Sequence, residues 1–235
     1  MAVRAAGTKI TFEGLENIPA RGGGVVAINH TSYVDFLPAA LGTRARRRRV
    51  RFMIKAEMQN VRVVNFLIKH TGTIPVNRQA GAQAYAEAVR QLRAGELVGV
   101  YPEATISRAF VLKDFKSGAA RMALEAQVPI IPCIVWGAHR VWTKDHPKQL
   151  RRSKIPFTVR FGRPLLPVGT AVELETALRD QMSAILGEVQ LAYPHPRGEY
   201  WVPETLGGGA PSLAEAKKLD EAELAERARR AKEHH

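Results

Sequence analysis

Short apolar runs alternate with helical segments along the chain, and this alternation most constrains the fold. Residues 25–28, Val-Val-Ala-Ile, predict a buried strand, and a helix is predicted from Ser32 to Leu41, ended by Gly42. Further strands are predicted at residues 8–12, 50–54, 73–76, 97–101, 129–135 and 157–161. Basic residues flank the last of these strands, which is therefore predicted at an edge of the sheet. Further helices are predicted at residues 58–69, 79–93, 116–127 and 172–191. Strands alternating with helices predict an α/β fold with a mostly parallel, covered sheet.

The chain length predicts one main α/β domain at residues 1–192. With 235 residues, the chain has room for a sizeable core. Residues 193–211 are rich in proline and glycine, and residues 212–232 are about half charged with apolar positions at helical spacing. We therefore expect residues 193–235 to form an irregular segment followed by an exposed, amphipathic C-terminal helix with a frayed end. No function is assigned to the terminal His234 and His235.

The net charge of +13 and the pI near 10.3 favour an anionic partner. Nucleic acid, an anionic membrane and phosphorylated substrates all fit such a surface. The single cysteine, Cys133, excludes an intrachain disulfide framework and is typical of a reducing compartment. No signal peptide and no membrane-spanning run are apparent, so contact with a membrane is expected at its surface.

A histidine and an aspartate follow the strand at residues 25–28. His30 comes two residues after the strand, and Asp35 lies five residues beyond His30. The two side chains can meet if His30 is on the connecting turn and Asp35 in the first helical turn, and Asp35 then orients the imidazole as a general base. The alternative is structural: Ser32 caps the helix, Asp35 interacts with its dipole, and His30 is simply a polar residue at a strand end.

Three further stretches lie at predicted strand ends, where sites gather in open α/β sheets. Residues 72–78 end with Arg78, whose planar guanidinium suits a phosphate. Residues 101–108 crowd Glu103, Thr105 and Arg108 into one turn. In residues 128–133 the structural interpretation is favoured, with Cys133 as a small buried apolar residue.

The order of these stretches resembles the glycerolipid acyltransferase family, which includes the 1-acylglycerol-3-phosphate and glycerol-3-phosphate acyltransferases. The residues concerned are Asn-His-x-x-x-x-Asp from 29, Gly-x-Ile-x-Val-x-Arg from 72, Pro-Glu-x-Thr-x-Ser from 102 and Val-Pro-Ile-Ile-Pro from 128. The resemblance covers roughly residues 14–161. It implies an αβα layered acyltransferase domain in which His30 is the base and Asp35 orients it. It also implies that Arg78 and Glu103 help to bind a phosphorylated acceptor.

The resemblance extends to two further candidate binding residues. Lys55 begins a segment similar to the lysine segment that precedes the second motif in many members. Thr105 belongs to the third motif, which usually reads Glu-Gly-Thr-Arg but here reads Glu103-Ala104-Thr105-Ile106. Ala104 replaces a glycine that permits close backbone approach, and Ile106 replaces an arginine. Arg108 is a candidate substitute for that arginine. These departures leave the acceptor head group open.

The implied reaction moves a fatty acyl chain from a thioester to a lipid hydroxyl. His30 deprotonates the hydroxyl, which attacks the thioester directly, so no acyl-enzyme and no cofactor are expected. Backbone N–H groups at the start of the Ser32 helix are candidate oxyanion donors. The donor is expected to be acyl-coenzyme A or acyl-acyl carrier protein, and the acceptor a lysophospholipid, most simply 1-acylglycerol-3-phosphate. The location expected for such a protein is cytoplasmic, peripheral at the inner face of the cell membrane.

Residues 44–51 contain six arginines in eight positions. The cluster follows the predicted His30 helix, which favours contact with an anionic membrane or with the donor over a merely solvated loop. Nucleic acid is disfavoured because no reader motif or aromatic series accompanies the cluster. Other hypotheses are an acyltransferase acting on a different lipid or glycolipid, a non-catalytic basic lipid-binding protein, and a thioesterase-like hydrolase. The last lacks a visible serine nucleophile elbow.

Overall fold

The computed structural model describes residues 9–55, 74–76, 81–149 and 154–233. The helix predicted at residues 58–69 and the candidate Arg78 lie outside the described residues. Within them, the strands are β1 (Ile10–Glu13), β2 (Gly24–Ile28), β3 (Val50–Lys55), β4 (Ile74–Val76), β5 (Leu97–Val100), β6 (Ile130–Trp136) and β7 (Phe157–Phe161). The α-helices are α1 (Phe36–Ala45), α2 (Gly81–Arg93), α3 (Gly118–Ala126), α4 (Ala171–Ala192) and α5 (Leu213–Glu233). Among the described helices, none is both long and apolar enough to cross a lipid bilayer.

The described strands form one mixed sheet in the order β1-β7-β6-β2-β5-β3-β4. The pair β6 and β7 is antiparallel, and the other pairs are parallel. The predicted α/β class and the mostly parallel sheet are therefore confirmed. The predicted edge position of β7 is wrong, because β7 lies between β1 and β6. Its basic residue Arg160 is accommodated by ion pairs with Glu13 and Glu188.

Alternate side chains of the central strands enter two separate apolar clusters, one on each face of the sheet. In β2, Val25 and Ala27 face the cluster that α2, α3 and α4 cover, whereas Val26 and Ile28 face the cluster that contains Ala39 of α1. This two-sided burial explains why the strand reads as an uninterrupted apolar run, and gives the αβα layering. Cys133 is fully buried, as predicted.

Residues beyond position 192 contribute to the core. Trp201, Val202 and Ala210 are buried in the same cluster as the helices α2 to α4. The hydrophobic core is therefore not divided at residue 192, where the sequence places the end of the main domain. Helix α5 confirms the predicted C-terminal helix.

The parallel strands bring two turns to the same edge of the sheet. β2 pairs with β5 so that Ala27 lies beside Val100, and with β6 so that Ile28 lies beside Cys133. The residues after Ile28 and after Val100 therefore leave the sheet side by side, which places His30 next to the turn that follows β5.

Candidate active site

The end of β2 is fixed by the side chain of Asn29. Its amide nitrogen donates to the carbonyl oxygen of Val135 at 3.1 Å, and its amide oxygen accepts from the Val135 N–H at 2.7 Å. Asn29 is fully buried, so these bonds satisfy a polar group that would otherwise be costly in the core. The side chain thus extends the pairing between β2 and β6 by one residue and fixes where His30 emerges.

The turn that follows, here called the His30 turn (residues 29–35), closes around the carboxylate of Asp35. Asp35 Oδ2 accepts from the backbone N–H of Thr31 at 2.9 Å and of Ser32 at 2.7 Å. The same oxygen lies 3.4 Å from His30 Nδ1. The carboxylate is fully buried, so two backbone N–H groups and the imidazole converge on one fixed oxygen.

Helix α1 begins at Phe36, four residues later than predicted. Asp35 precedes the helix and does not lie in its first turn. Its carboxylate accepts hydrogen bonds from N–H groups of residues that come before it in the chain. Ser32 does not cap the helix: its hydroxyl accepts from the Val34 N–H at 3.1 Å and lies 2.6 Å from the Trp142 carbonyl oxygen. The predicted approach of His30 to Asp35 is nevertheless present.

The imidazole of His30 lies between Asp35 and Tyr101. Its ring stacks on the Tyr101 ring, with centroids 4.0 Å apart and planes 20° apart, and the side chain is 18% exposed. The distance of 3.4 Å between His30 Nδ1 and Asp35 Oδ2 is longer than that of an ordinary hydrogen bond. With the proton on Nδ1 facing the carboxylate, the other nitrogen carries the lone pair of a base.

Asp35 experiences opposing electrostatic effects. Burial raises the pKa of Asp35, whereas the His30 side chain and the two backbone N–H groups lower it. Its second oxygen, Oδ1, has no hydrogen-bond partner among the described residues. An imidazolium at His30 would stabilise this carboxylate, because a buried charge gains most from a partner of opposite charge.

Glu103 connects the His30 turn to the turn after β5. Its Oε1 accepts from the His30 N–H at 2.8 Å and its Oε2 from the Lys113 N–H at 3.0 Å. The Ser107 N–H donates to the His30 carbonyl oxygen at 2.8 Å, so both backbone groups of His30 are held by this second turn. Burial raises the pKa of Glu103 to about 7, although the two N–H donors act to lower it. The structure therefore brings together His30, Asp35 and Glu103.

Thr105 and Ala104 occupy the same turn as Glu103. Thr105 Oγ1 accepts from Lys113 Nζ at 2.7 Å. Ala104 has a φ of +59°, in the left-handed region. That conformation suits the glycine of the related motif and is unfavourable for alanine. Ile106, at the position of the motif's arginine, is buried and 3% exposed.

Arg108 is 7% exposed and is held by carboxylates of the chain itself. It forms ion pairs with Asp145, Asp220 and Glu223, the last at 2.9 Å. Its expected role in binding a substrate stays a prediction. Lys55 ends β3 at the same edge of the sheet as His30, and its role likewise stays a prediction.

A loop after β6, which the sequence did not single out, supports the His30 turn from the other side. The Tyr33 N–H donates to the Trp142 carbonyl oxygen at 3.1 Å, and Thr143 Oγ1 donates to the Thr31 carbonyl oxygen at 2.8 Å. These residues belong to no motif and lie 109 and 112 positions from their partners. Only the tertiary structure reveals them.

The backbone N–H groups of residues 31–34 are all engaged within the protein. Thr31 and Ser32 donate to Asp35, Tyr33 to Trp142, and Val34 to the Ser32 hydroxyl. The prediction that N–H groups at this helix start serve as oxyanion donors is therefore wrong for these residues, because Asp35 and the loop after β6 already occupy them.

The arginine cluster lies far from His30. Helix α1 spans 10 residues, about 15 Å, and carries the chain away from the carboxyl edge of the sheet. The next strand begins at Val50 beside Leu97, at the amino edge. Arg48 donates there to the carbonyl oxygens of Pro19, Gly22 and Gly95 at 2.6, 2.7 and 2.8 Å. The arginine cluster thus follows α1 directly in sequence but does not lie close to the candidate active site.

Comparison with known proteins agrees with this geometry. Residues 9–136, more than half of the chain, match the family model described as Acyltransferase. The chain is 31% identical over 145 residues to the 1-acyl-sn-glycerol-3-phosphate acyltransferase of Borreliella burgdorferi, covering 60% of this chain and 56% of the relative. It is 28% identical over 123 residues to the Bacillus subtilis protein of the same name, covering 52% of this chain and 60% of the relative. The chain thus spans little more than half the length of these curated relatives.

A solved structure shares the fold. The crystal structure of the 1-acyl-sn-glycerophosphate acyltransferase PlsC from Thermotoga maritima aligns with a TM-score of 0.67 and 24% identity, covering 83% of this chain and 78% of that one. The family match covers the strands β1 to β6. It therefore includes the His30 turn and the turn after β5, here called the Glu103 turn (residues 101–108). This chain therefore belongs to the Acyltransferase family.

Proposed function

We propose that this protein transfers a fatty acyl group from a thioester donor to a hydroxyl of a glycerolipid acceptor, most simply 1-acylglycerol-3-phosphate, in phospholipid synthesis. The observation that carries the proposal is the placement of the Asp35 carboxylate beside His30 Nδ1, where two backbone N–H groups fix it. A carboxylate held in this way orients the imidazole and stabilises its protonated form.

The proposed reaction needs one base and no covalent intermediate. His30 removes the proton of the acceptor hydroxyl while its oxygen attacks the thioester carbonyl carbon. The tetrahedral intermediate then collapses, the carbon–sulfur bond breaks, and the imidazolium returns its proton to the departing thiolate. Coenzyme A and acyl carrier protein are both candidate carriers of the acyl group.

The names of the relatives support the proposed acceptor. The proteins from Borreliella burgdorferi and Bacillus subtilis are both named 1-acyl-sn-glycerol-3-phosphate acyltransferases. The Glu103 turn supports the same assignment, because it binds the His30 backbone and is the counterpart of a family motif that helps to bind a phosphorylated acceptor.

One observation favours a second candidate acceptor. Ile106 is buried where related motifs carry an arginine, which removes one cation from the expected phosphate contact. A lipid or glycolipid acceptor without a phosphomonoester is therefore the alternative substrate. The non-catalytic lipid-binding hypothesis predicts no reaction with either class.

A thioester-consumption assay separates these possibilities. Acyl-coenzyme A donors of several chain lengths are tested against glycerol-3-phosphate, 1-acylglycerol-3-phosphate and neutral lysophospholipids, and thiol release is measured. We expect thiol release with 1-acylglycerol-3-phosphate. Release only with a neutral acceptor would establish the alternative, and no release with any donor, acyl carrier protein included, would contradict acyl transfer.

The base assignment is tested by His30→Ala. We expect a loss of at least about 10³-fold in turnover, because a general base contributes about 10²–10⁴-fold. His195→Gln is the matched control, since the described side-chain contacts of His195 are with Trp136, Tyr193 and Trp201. Substantial turnover by a folded His30→Ala protein would exclude His30 as the base.

A lipid product also leads us to propose a peripheral location at the inner face of the cell membrane. The exposed arginines at positions 44, 46, 47 and 49 supply an anionic-lipid contact worth roughly 1 kcal/mol for each basic residue. Sedimentation with liposomes tests this contact. Equal binding to neutral and anionic vesicles would contradict a role for the arginine cluster.

A further inference from the structure

Three cationic residues lie next to the His30 turn. Each of them either forms a hydrogen bond that links it to this turn or directly follows a residue that does. Arg108 follows Ser107, whose N–H binds the His30 carbonyl oxygen at 2.8 Å. The Lys113 N–H shares the Glu103 carboxylate with the His30 N–H. Lys144 follows Thr143, whose hydroxyl binds the Thr31 carbonyl oxygen. The segment between β5 and α3 thus brings Arg108 and Lys113, and the loop after β6 brings Lys144, beside the His30 turn.

These cations are paired chiefly with carboxylates of helix α5. Asp220 contacts all three of them, and Glu223 lies 2.9 Å from Arg108 Nη2 and 2.8 Å from Lys144 Nζ. Asp145, in the loop after β6, also binds Arg108. We call these six residues the ion-pair cluster. Burial acts to raise the pKa of Asp220, yet the bond from Lys113 and the other cations outweigh it and hold the pKa below its ordinary value.

Helix α5 contributes little else to the domain. Among its described side chains, Ala216 is the buried apolar residue, at 7% exposure, whereas Leu213, Leu219 and Leu224 are 65%, 45% and 60% exposed. Helix α4, of similar length, buries seven side chains. The attachment of α5 therefore rests mainly on ion pairs, and a competing anion can replace them without uncovering a large apolar surface.

The charges of the cluster match one kind of ligand. Without the two carboxylates of α5, three cations and the single carboxylate of Asp145 leave two positive charges. A phosphomonoester carries close to two negative charges near pH 7 and offers three acceptor oxygens, which an arginine fork and two ammonium groups can bind together.

We propose that Arg108, Lys113 and Lys144 form a binding site for a phosphomonoester beside the His30 turn, and that Asp220 and Glu223 of α5 occupy this site until the phosphate displaces them. The site supplies a positive charge in place of the motif's arginine, whose position is occupied by the buried Ile106. In naming the acceptor's phosphate as the ligand, the inference rests on the proposed function. Occupation by α5 makes phosphate binding and release of the helix one competitive equilibrium.

Hydrogen exchange of residues 213–233 tests the competition in the full chain without any acyl donor. Glycerol-3-phosphate, as the head group, and inorganic phosphate, as the free anion, are each compared with sodium chloride at equal ionic strength. We expect each phosphate to accelerate exchange in α5 at about a tenth of the sodium chloride concentration that is needed for the same acceleration. The reason is that phosphate forms charge-assisted hydrogen bonds with the cations, whereas chloride acts by general screening. Acceleration no greater than that by chloride would overturn the proposal.

Matched variants of α5 test the identity of the competing groups. Asp220→Asn with Glu223→Gln should tighten phosphate binding about tenfold, as measured by titration calorimetry. Glu221→Gln with Glu226→Gln removes two carboxylates from the same helix; the described ion pairs of Glu226 are with Arg229 and Arg230. Equal affinities of the two double variants would contradict the proposal.

A variant of the site completes the test. Lys144→Gln should weaken phosphate binding about tenfold. Unchanged affinity in a folded Lys144→Gln protein would exclude this lysine from the site. Failure of this inference is distinguishable from failure of the proposed function, because phosphate binding is measured without turnover. Thiol release without phosphate-dependent release of α5 would refute the inference alone, and the converse result would refute acyl transfer alone.

Discussion

The His30 turn and the contact of helix α5 lie side by side but are stabilised in different ways. In the His30 turn, backbone N–H groups converge on the buried carboxylates of Asp35 and Glu103. In the ion-pair cluster, side chains that remain 7% to 56% exposed meet through opposite charges. Backbone bonds within a packed turn have no competitor, whereas ion pairs between partly exposed side chains can be replaced by dissolved anions. The His30 turn is therefore preorganised, whereas the carboxylates of the ion-pair cluster can be replaced by other anions.

The largest expected effect comes from Asp35→Asn. The amide oxygen can still accept the N–H groups of Thr31 and Ser32, so the turn should persist. The amide carries no negative charge, however, so it cannot stabilise the imidazolium that forms at His30, and we expect turnover to fall about 10³-fold. The measurement is thiol release under saturating substrates, with thermal unfolding as the test of folding.

Asp114→Asn is the control for Asp35→Asn, because Asp114 is 93% exposed and pairs with Arg179 at the surface. Turnover of Asp35→Asn within tenfold of the unaltered protein would contradict the orienting role of Asp35.

The next effect concerns Glu103 and pH. Because burial raises the pKa of Glu103 to about 7 from an ordinary value near 4.5, the folded state binds its proton more tightly than the unfolded state. The resulting stabilisation is complete below about pH 4.5 and is lost as the pH rises through 7. In Glu103→Gln this contribution is absent. The free energy of unfolding of the unaltered protein, minus that of Glu103→Gln, should therefore fall by about 3 kcal/mol between pH 4.5 and pH 8.

Urea denaturation at a series of pH values measures this difference. Glu96→Gln is the control, because the Glu96 carboxylate pairs with Arg51 and is 35% exposed. Parallel pH dependences for Glu103→Gln and the unaltered protein would show that Glu103 does not bind its proton more tightly in the folded state.

A smaller effect tests the other half of the comparison. Raising the salt concentration from about 0.05 to 0.5 M shortens the screening length of exposed charges by about threefold. We expect amide exchange in α5 to accelerate about tenfold, while exchange in α4, which buries seven side chains, changes less than twofold. Equal responses of the two helices would mean that α5 is not attached mainly through its ion pairs.

The smallest effect is expected at Ala104, whose φ of +59° is unfavourable for any side chain. Ala104→Gly should raise the free energy of unfolding by about 1 kcal/mol. Ala86→Gly, on the exposed face of α2, should lower it by a similar amount, because glycine is the weaker helix former. Thermal unfolding distinguishes the two signs, and destabilisation by Ala104→Gly would contradict strain at this position.

The sequence predicted the strands well, and β2, β5 and β6 in particular are short apolar runs that are buried on both faces. It misplaced the start of α1, because the carboxylate of Asp35 binds the N–H groups that a helix would otherwise leave free. It also misjudged the position of β7, since Arg160 is neutralised by Glu13 and Glu188 instead of facing solvent at an edge. A local sequence pattern does not indicate which distant residues of the chain will contact it.

What the sequence alone determined is the α/β fold and the placement of His30, Asp35 and Glu103 at the ends of strands, because strand ends and short spacings are local properties. Only the tertiary structure decided what surrounds them. It placed the arginine cluster at the opposite edge, the loop after β6 against the His30 turn, and the carboxylates of α5 on Arg108, Lys113 and Lys144. Those contacts join segments up to 115 residues apart, and no spacing within the sequence specifies them.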